Sequence, residues 1–186
     1  MKKRILSFAM AAAVSATMAI PAFSASFSDV TSAYEWAEDA IYELADVGII
    51  QGYPEGTFKP GNNITKEEAV TLFARAMGSA DDSNEAIMNV AYDNAESSLA
   101  KYDSYALEQA AYLMYKNVLS ADDLATYLSS VNKSKTLNRY EAATLIAKCL
   151  GGDVWLKTNP DVELSFDDAD TVPYSAVGYV YYASEL

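Results

Sequence analysis

Apolar residues recur at helical spacing in two early runs. Trp36, Ala40, Ile41, Leu44 and Val47 share one face of a predicted helix. Ser32-x-x-Glu35 has the form of a capping box at its start, and Gly48 suits the left-handed position that ends it. A second helix is predicted from Lys66 to Met77, with Ala69, Val70, Leu72, Phe73 and Ala76 facing inward. Thr65 is its N-cap, Glu68 completes a capping box three residues later, and Gly78 closes it. Between the two runs lie Gly52, Pro54, Gly56, Pro60, Gly61 and the Asn62-Asn63 pair, which together specify turns. The pattern predicts helix, structured loop, helix.

The same pattern returns further along the chain. Residues 64–78 lie over residues 137–151, with Glu68 on Glu141, Thr71 on Thr144, Leu72 on Leu145 and Gly78 on Gly151. Asn138 takes the place of Thr65 as N-cap, and Arg139 takes the place of Lys66. Upstream, Trp36-Ala37 matches Tyr105-Ala106, Leu44 matches Leu113, and Gly48-Ile49-Ile50 matches Asn117-Val118-Leu119. The offset grows from 69 to 73 residues between the two helices, so the second loop is longer. That loop lacks the Gly-Tyr-x-x-Gly-Thr-Phe-x-Pro sequence, and 120–127 reads as a short helical turn. A third start follows at Phe166-Asp167-Asp168-Ala169, and Leu186 falls on Val47, inside the opening helix of that unit. The expected organisation is a first repeat over 26–78, a linker over 79–91, a divergent second repeat over 92–151 and the start of a third over 152–186.

Charge and chemistry narrow the function. Lys2, Lys3 and Arg4, an apolar run from Ile5 to Ile20, Pro21 and then small residues form a secretory signal over 1–25, with cleavage expected after Ser24 or Ala25. Its removal takes the net charge from −13 to −16, a balance that repels nucleic acid and anionic lipid. No later segment is apolar enough to span a membrane. The single cysteine, Cys149, has no intramolecular disulfide partner and reads as a core thiol. The sequence contains no histidine, which removes His-based nucleophile activation and zinc sites of the His-Glu-x-x-His type. Glu68 and Glu141 are explained as capping partners rather than as a catalytic pair, so no enzyme activity is expected. Neither Asp81-Asp82 nor Asp167-Asp168-Ala169-Asp170 has the alternating oxygen register of a calcium loop, and no metal or cofactor is expected. A helix N-terminus with Lys66 in its first turn reads as a small site for one anionic group. Trp36, Tyr112, Tyr115, Tyr179, Tyr181 and Tyr182 read as core or interfacial aromatics.

Phe-Ser-Asp-Val at 27–30, Trp-Ala-x-x-Ala-Ile at 36–41, Gly-Ile-Ile-x-Gly-Tyr-Pro-Glu-Gly-Thr-Phe-Lys-Pro at 48–60 and Ile-Thr-Lys-Glu-Glu-Ala at 64–69 together resemble a surface-layer homology (SLH) repeat. The likeness runs from Phe27 to about Met77. It implies an all-α fold of helical repeats packed as a pseudo-threefold bundle, here with the third repeat incomplete. It further implies a secreted, non-catalytic module at the bacterial cell surface that binds an anionic, commonly pyruvylated, secondary cell-wall polysaccharide or peptidoglycan. In that scheme Lys66 and Arg139 occupy the family's basic motif position, where Arg is usual, and Asp29, Trp36, Gly52 and Tyr53 line a glycan-binding groove. The alternative is a structural envelope protein whose repeats mediate self-assembly, or contacts with other SLH proteins, without holding sugar.

Overall fold

The computed structural model describes residues 26–186, and the predicted secretory signal lies outside them. Among the described residues eight α-helices carry most of the regular structure: α1 (Glu35–Asp46), α2 (Lys66–Ala76), α3 (Glu85–Leu99), α4 (Leu107–Tyr115), α5 (Leu124–Leu128), α6 (Arg139–Cys149), α7 (Gly152–Leu156) and α8 (Tyr174–Ser184). The fold is all-α. Among the described residues the extended pairings are two isolated bridges, Tyr53 with Thr57 and Thr65 with Thr136.

The helix starts follow local chemistry. At α2, Thr65 Oγ1 accepts from the Glu68 N–H and Glu68 Oε2 accepts from the Thr65 N–H at 2.8 Å. At α6, Asn138 and Glu141 repeat the reciprocal arrangement. Each box satisfies two backbone donors that a helix end would otherwise leave unpaired. The box read at Ser32 does not form. Ser32–Tyr34 is a 3₁₀ turn with no side-chain cap, because the Thr31 and Ser32 carbonyls take the N–H groups of Tyr34 and Glu35. Where α1 ends on Gly48 at φ +77°, α4 ends on Asn117 at φ +59°, Asn being the non-glycine residue best suited to that region.

One continuous core forms from α2, α3, α4 and α5, around Val70, Leu99, Tyr112, Leu113, Leu124 and Leu128, with Leu145 joining from α6. Burying each of these large side chains contributes about 1.5–3 kcal/mol. The Tyr112 hydroxyl donates to the Met77 carbonyl at 3.0 Å, which makes burial of that ring tolerable. On the far side, α8 packs along α6 and against α7, where Trp155 lies against Tyr181 and Tyr182. Of the tyrosines read as interfacial, Tyr115 stays exposed, whereas Tyr179, Tyr181 and Tyr182 are half-buried. Cys149 is half-buried, and burial pushes its thiol up to about 11, which suppresses thiolate chemistry.

Two expectations change. The linker predicted over 79–91 shortens to a few residues. Asp81 caps a 3₁₀ turn at Asp82–Asn84, and α3 begins at Glu85, burying Ala91, Ala95 and Leu99 against α4. The acidic 79–85 composition suggested a tether, but small residues at four-residue spacing give α3 a narrow face that packs closely. The apolar face of α1 also departs from its reading: Ile41 is buried, while Trp36 is 86%, Leu44 39% and Val47 65% exposed. Among the described residues no other α-helix packs closely on α1, whereas α4 packs on α2 and α8 packs on α6.

Candidate functional site

The 49–64 loop owes its shape to a few anchored contacts. Phe27 is buried, stacks on Tyr42 and packs against Phe58. The Tyr53 N–H donates to the Thr57 carbonyl and the Gly56 N–H to the Tyr53 carbonyl, closing a tight turn. The Ser28 N–H reaches the Gly56 carbonyl from outside. Asp29 accepts from the Phe58 N–H at 2.8 Å and from the Lys59 N–H at 2.7 Å, one on each carboxylate oxygen. Those two donors hold Lys59 in a left-handed conformation at φ +60°.

The Phe58 N–H, as the largest influence, keeps the Asp29 carboxyl below its ordinary value of 3.8, outweighing the opposing effect of burial. A lowered folded pKa places the stabilisation above 3.8 and removes it as the pH falls through the folded value. Acidification below 3.8 is therefore expected to shift the Phe58 and Lys59 amide resonances together, and Asp29→Asn is expected to abolish that titration. If the two amides titrate unchanged in the variant, Asp29 does not hold the loop.

A groove of about 330 Å³ opens between this loop, one face of α2 and the start of α4. Its aromatic walls are Tyr53, Phe58 and Tyr105. Glu68, Thr71, Leu72 and Arg75, spaced i, i+3, i+4 and i+7, line it from α2, and Gln51, Asn62 and Asn63 add amides from the loop. Glu68 is fully engaged: one oxygen closes the capping box and takes the Thr65 hydroxyl, and the other accepts the Tyr53 hydroxyl at 3.2 Å. Lys59 pairs with Glu55 at 2.7 Å and its ammonium lies 3.8 Å from the Tyr53 ring centroid, which fixes that ring as a platform. Partial desolvation pushes the Tyr105 hydroxyl up to about 12, although 64% of the residue stays exposed at the groove edge. Aromatic faces flanked by amide and hydroxyl groups suit a sugar ring, which offers an apolar face and a rim of hydroxyls.

The residues read from the sequence separate into three groups. Gly52 and Tyr53 lie in the groove lining. Asp29 sits behind the loop as its scaffold, and Trp36 projects from α1 away from the groove lining. Lys66 and Arg139 do not line one groove, although the starts of their helices are bridged at Thr65 and Thr136. Lys66 is buried and pairs directly with Glu141 of α6, itself buried, rather than standing in a first turn open to a ligand. The α2 N-terminus is likewise occupied, since the Lys66 and Glu67 N–H groups donate to the Lys135 and Lys133 carbonyls. The anion site expected there has its donors already used. Arg139 is exposed and lines a separate groove of about 940 Å³ between α6 and α8, together with Asp167 and Asp168.

Tyr105, Thr71 and Arg75 were not singled out by sequence reasoning. Two signals were present: the helical spacing from Glu68 to Arg75, and the match of Tyr105 to Trp36. No cluster of three or more metal-ligating side chains occurs among the described residues.

Comparison with known proteins bears on this geometry. Residues 26–70 match the S-layer homology domain. The outer membrane protein SlpA of Deinococcus radiodurans is 32% identical over 144 residues, which is 75% of this chain and 12% of the relative. The S-layer protein of Bacillus licheniformis is 36% identical over 84 residues, 44% of this chain and 10% of the relative. The cellulosome-anchoring protein of Acetivibrio thermocellus is 28% identical over 121 residues, 65% of this chain and 25% of the relative. The chain thus spans a quarter or less of the length of these relatives. No solved structure gives a significant match.

Proposed function

Because residues 26–70 make this chain a member of the S-layer homology domain family, we propose that it is a non-catalytic anchoring module of the bacterial cell surface that holds a wall polysaccharide in the Tyr53–Tyr105 groove. The likeness to surface-layer and anchoring proteins supports the location and the role. The observation that carries the ligand class is the groove itself, with three aromatic walls and a polar rim of Gln51, Asn62, Asn63 and Thr71. The finer reading is an acidic secondary wall polymer, pyruvylated as the sequence resemblance implies. In this reading the successive helix–loop–helix units of 26–78 and 92–151, with the opening of a third over 152–186, are arranged about a pseudo-threefold axis.

The test is sedimentation of the mature chain with purified walls before and after the non-peptidoglycan polymer is stripped off. Pelleting with intact walls alone is expected. Tyr53→Ala and Tyr105→Ala are each expected to weaken pelleting about tenfold, the scale of losing one aromatic stacking partner. A chain that stays in the supernatant with both preparations overturns the reading.

A second reading, protein contact through α1, has one observation in its favour: Trp36 and Val47 expose an apolar stripe on that helix. Sedimentation velocity without wall material separates the two. Oligomers that Trp36→Ala dissolves support protein contact, and a monomer supports the wall-binding role.

A further inference from the structure

We propose that Arg75 is the residue through which the groove reads a carboxylate on its ligand, in place of the two cations at the motif positions. The inference rests on the wall-polysaccharide reading of the groove and adds the residue that makes it selective for acidic sugar. The cations near the groove differ in what they already hold. Lys66 is buried against Glu141, Lys59 is neutralised by Glu55, and Arg139 lies in the other groove. Arg75 lines the Tyr53–Tyr105 groove from the last turn of α2, and none of the four ion pairs among the described residues includes it.

The surroundings favour an anion there. The one carboxylate in the lining, Glu68, has both oxygens bonded to Thr65 and Tyr53, so its charge is already satisfied by donors. Arg75 is half-buried, so part of its hydration is already lost. Its planar guanidinium can take both oxygens of one carboxylate, and that geometry is lost in lysine. Tyr105 adds a hydroxyl donor in the same lining, whereas the Thr71 hydroxyl already donates to the Glu67 carbonyl and can only accept. A carboxylate borne on a sugar would thus meet a fork of N–H donors at one end of the groove while its ring rests on tyrosine.

The experiment is wall pelleting by the mature chain and by Arg75→Gln and Arg75→Lys, using native walls and walls whose carboxylates have been reduced to alcohols. Thermal melts establish that each variant is folded. Arg75→Gln is expected to weaken binding to native walls about tenfold, Arg75→Lys to recover part of that loss, and wild type and Arg75→Gln to bind reduced walls equally. Should Arg75→Gln bind native walls like wild type while Tyr105→Ala does not, the groove holds glycan but Arg75 does not read its charge, and the proposal falls alone. Should wild type pellet with neither wall, the wall-binding reading falls and takes this proposal with it. Loss of binding by Arg75→Gln that persists unchanged on reduced walls also overturns it, since the carboxylate would then be irrelevant.

Discussion

Glu141→Ala is expected to destabilise the folded chain by about 3–5 kcal/mol, the range for removing one partner of a buried ion pair. Glu141 makes two kinds of contact at once. One oxygen takes the Lys66 ammonium, 75 residues away in sequence, and the other takes the Asn138 N–H and so closes the α6 capping box. Truncation leaves Lys66 charged and 8% exposed without a counterion, and it removes a cap contribution of about 1 kcal/mol as well. Lys66→Ala leaves the buried Glu141 carboxylate without its counterion and so should also destabilise, but less, because that carboxylate keeps the Asn138 N–H and its capping role. The double replacement Lys66→Met with Glu141→Leu should recover much of the loss, since an apolar pair of similar volume needs no counterion. Urea unfolding of the four proteins measures all of this. With native domains stable by only about 5–15 kcal/mol, the single Glu141 variant should show a clearly lowered midpoint. A change below about 1 kcal/mol would mean the pair is not desolvated in solution.

That pair also marks where reading the sequence stops. The capping boxes at Thr65 and Asn138 were legible because every partner lies within three residues, and local chemistry alone decides them. The loop between α1 and α2 was legible for the same reason, its glycines and prolines setting turns whatever surrounds them. Lys66 carried the same local signature as a ligand-binding cation, and only the packing of the α2 start against the 133–137 segment buries it. Its partner, Glu141, already had a sufficient local explanation as a capping residue, which hid its second role. The α1 face was misread for a related reason. Periodicity reports which side of a helix is apolar but not whether another helix covers it, and Trp36 and Val47 remain in solvent. Arg75 and Tyr105 join one groove because α4 packs on α2, a contact between distant segments that no spacing rule encodes.

Gly52→Ala should cost about 2–5 kcal/mol and abolish wall binding. Gly52 sits at φ +67°, where an L residue loses about 1–2 kcal/mol to the clash of its Cβ with the backbone. The added carbon would also lie 2.3 Å from Phe27 Cε1 and 2.7 Å from the Thr57 carbonyl oxygen, and both are poorly placed to give way. Phe27 is held between Tyr42 and Phe58, and the Thr57 carbonyl accepts the Tyr53 N–H that closes the turn. Forced overpacking of this kind typically costs a further 1–3 kcal/mol. The strain can be relieved by moving the turn, and the turn carries Tyr53, so relief displaces one aromatic wall of the groove. The buried core of α2–α5 does not include Phe27, Gly52 or Tyr53, so helical circular dichroism should remain near wild type while wall pelleting disappears. Gly56→Ala is the matched comparison: its φ is +76°, but a Cβ there meets nothing within 4 Å, so it should carry the backbone cost alone and keep most of the binding. Equal loss of binding in the two variants would show that left-handed strain anywhere in the loop suffices, and that the close approach of Phe27 to Gly52 has no special part in shaping the groove.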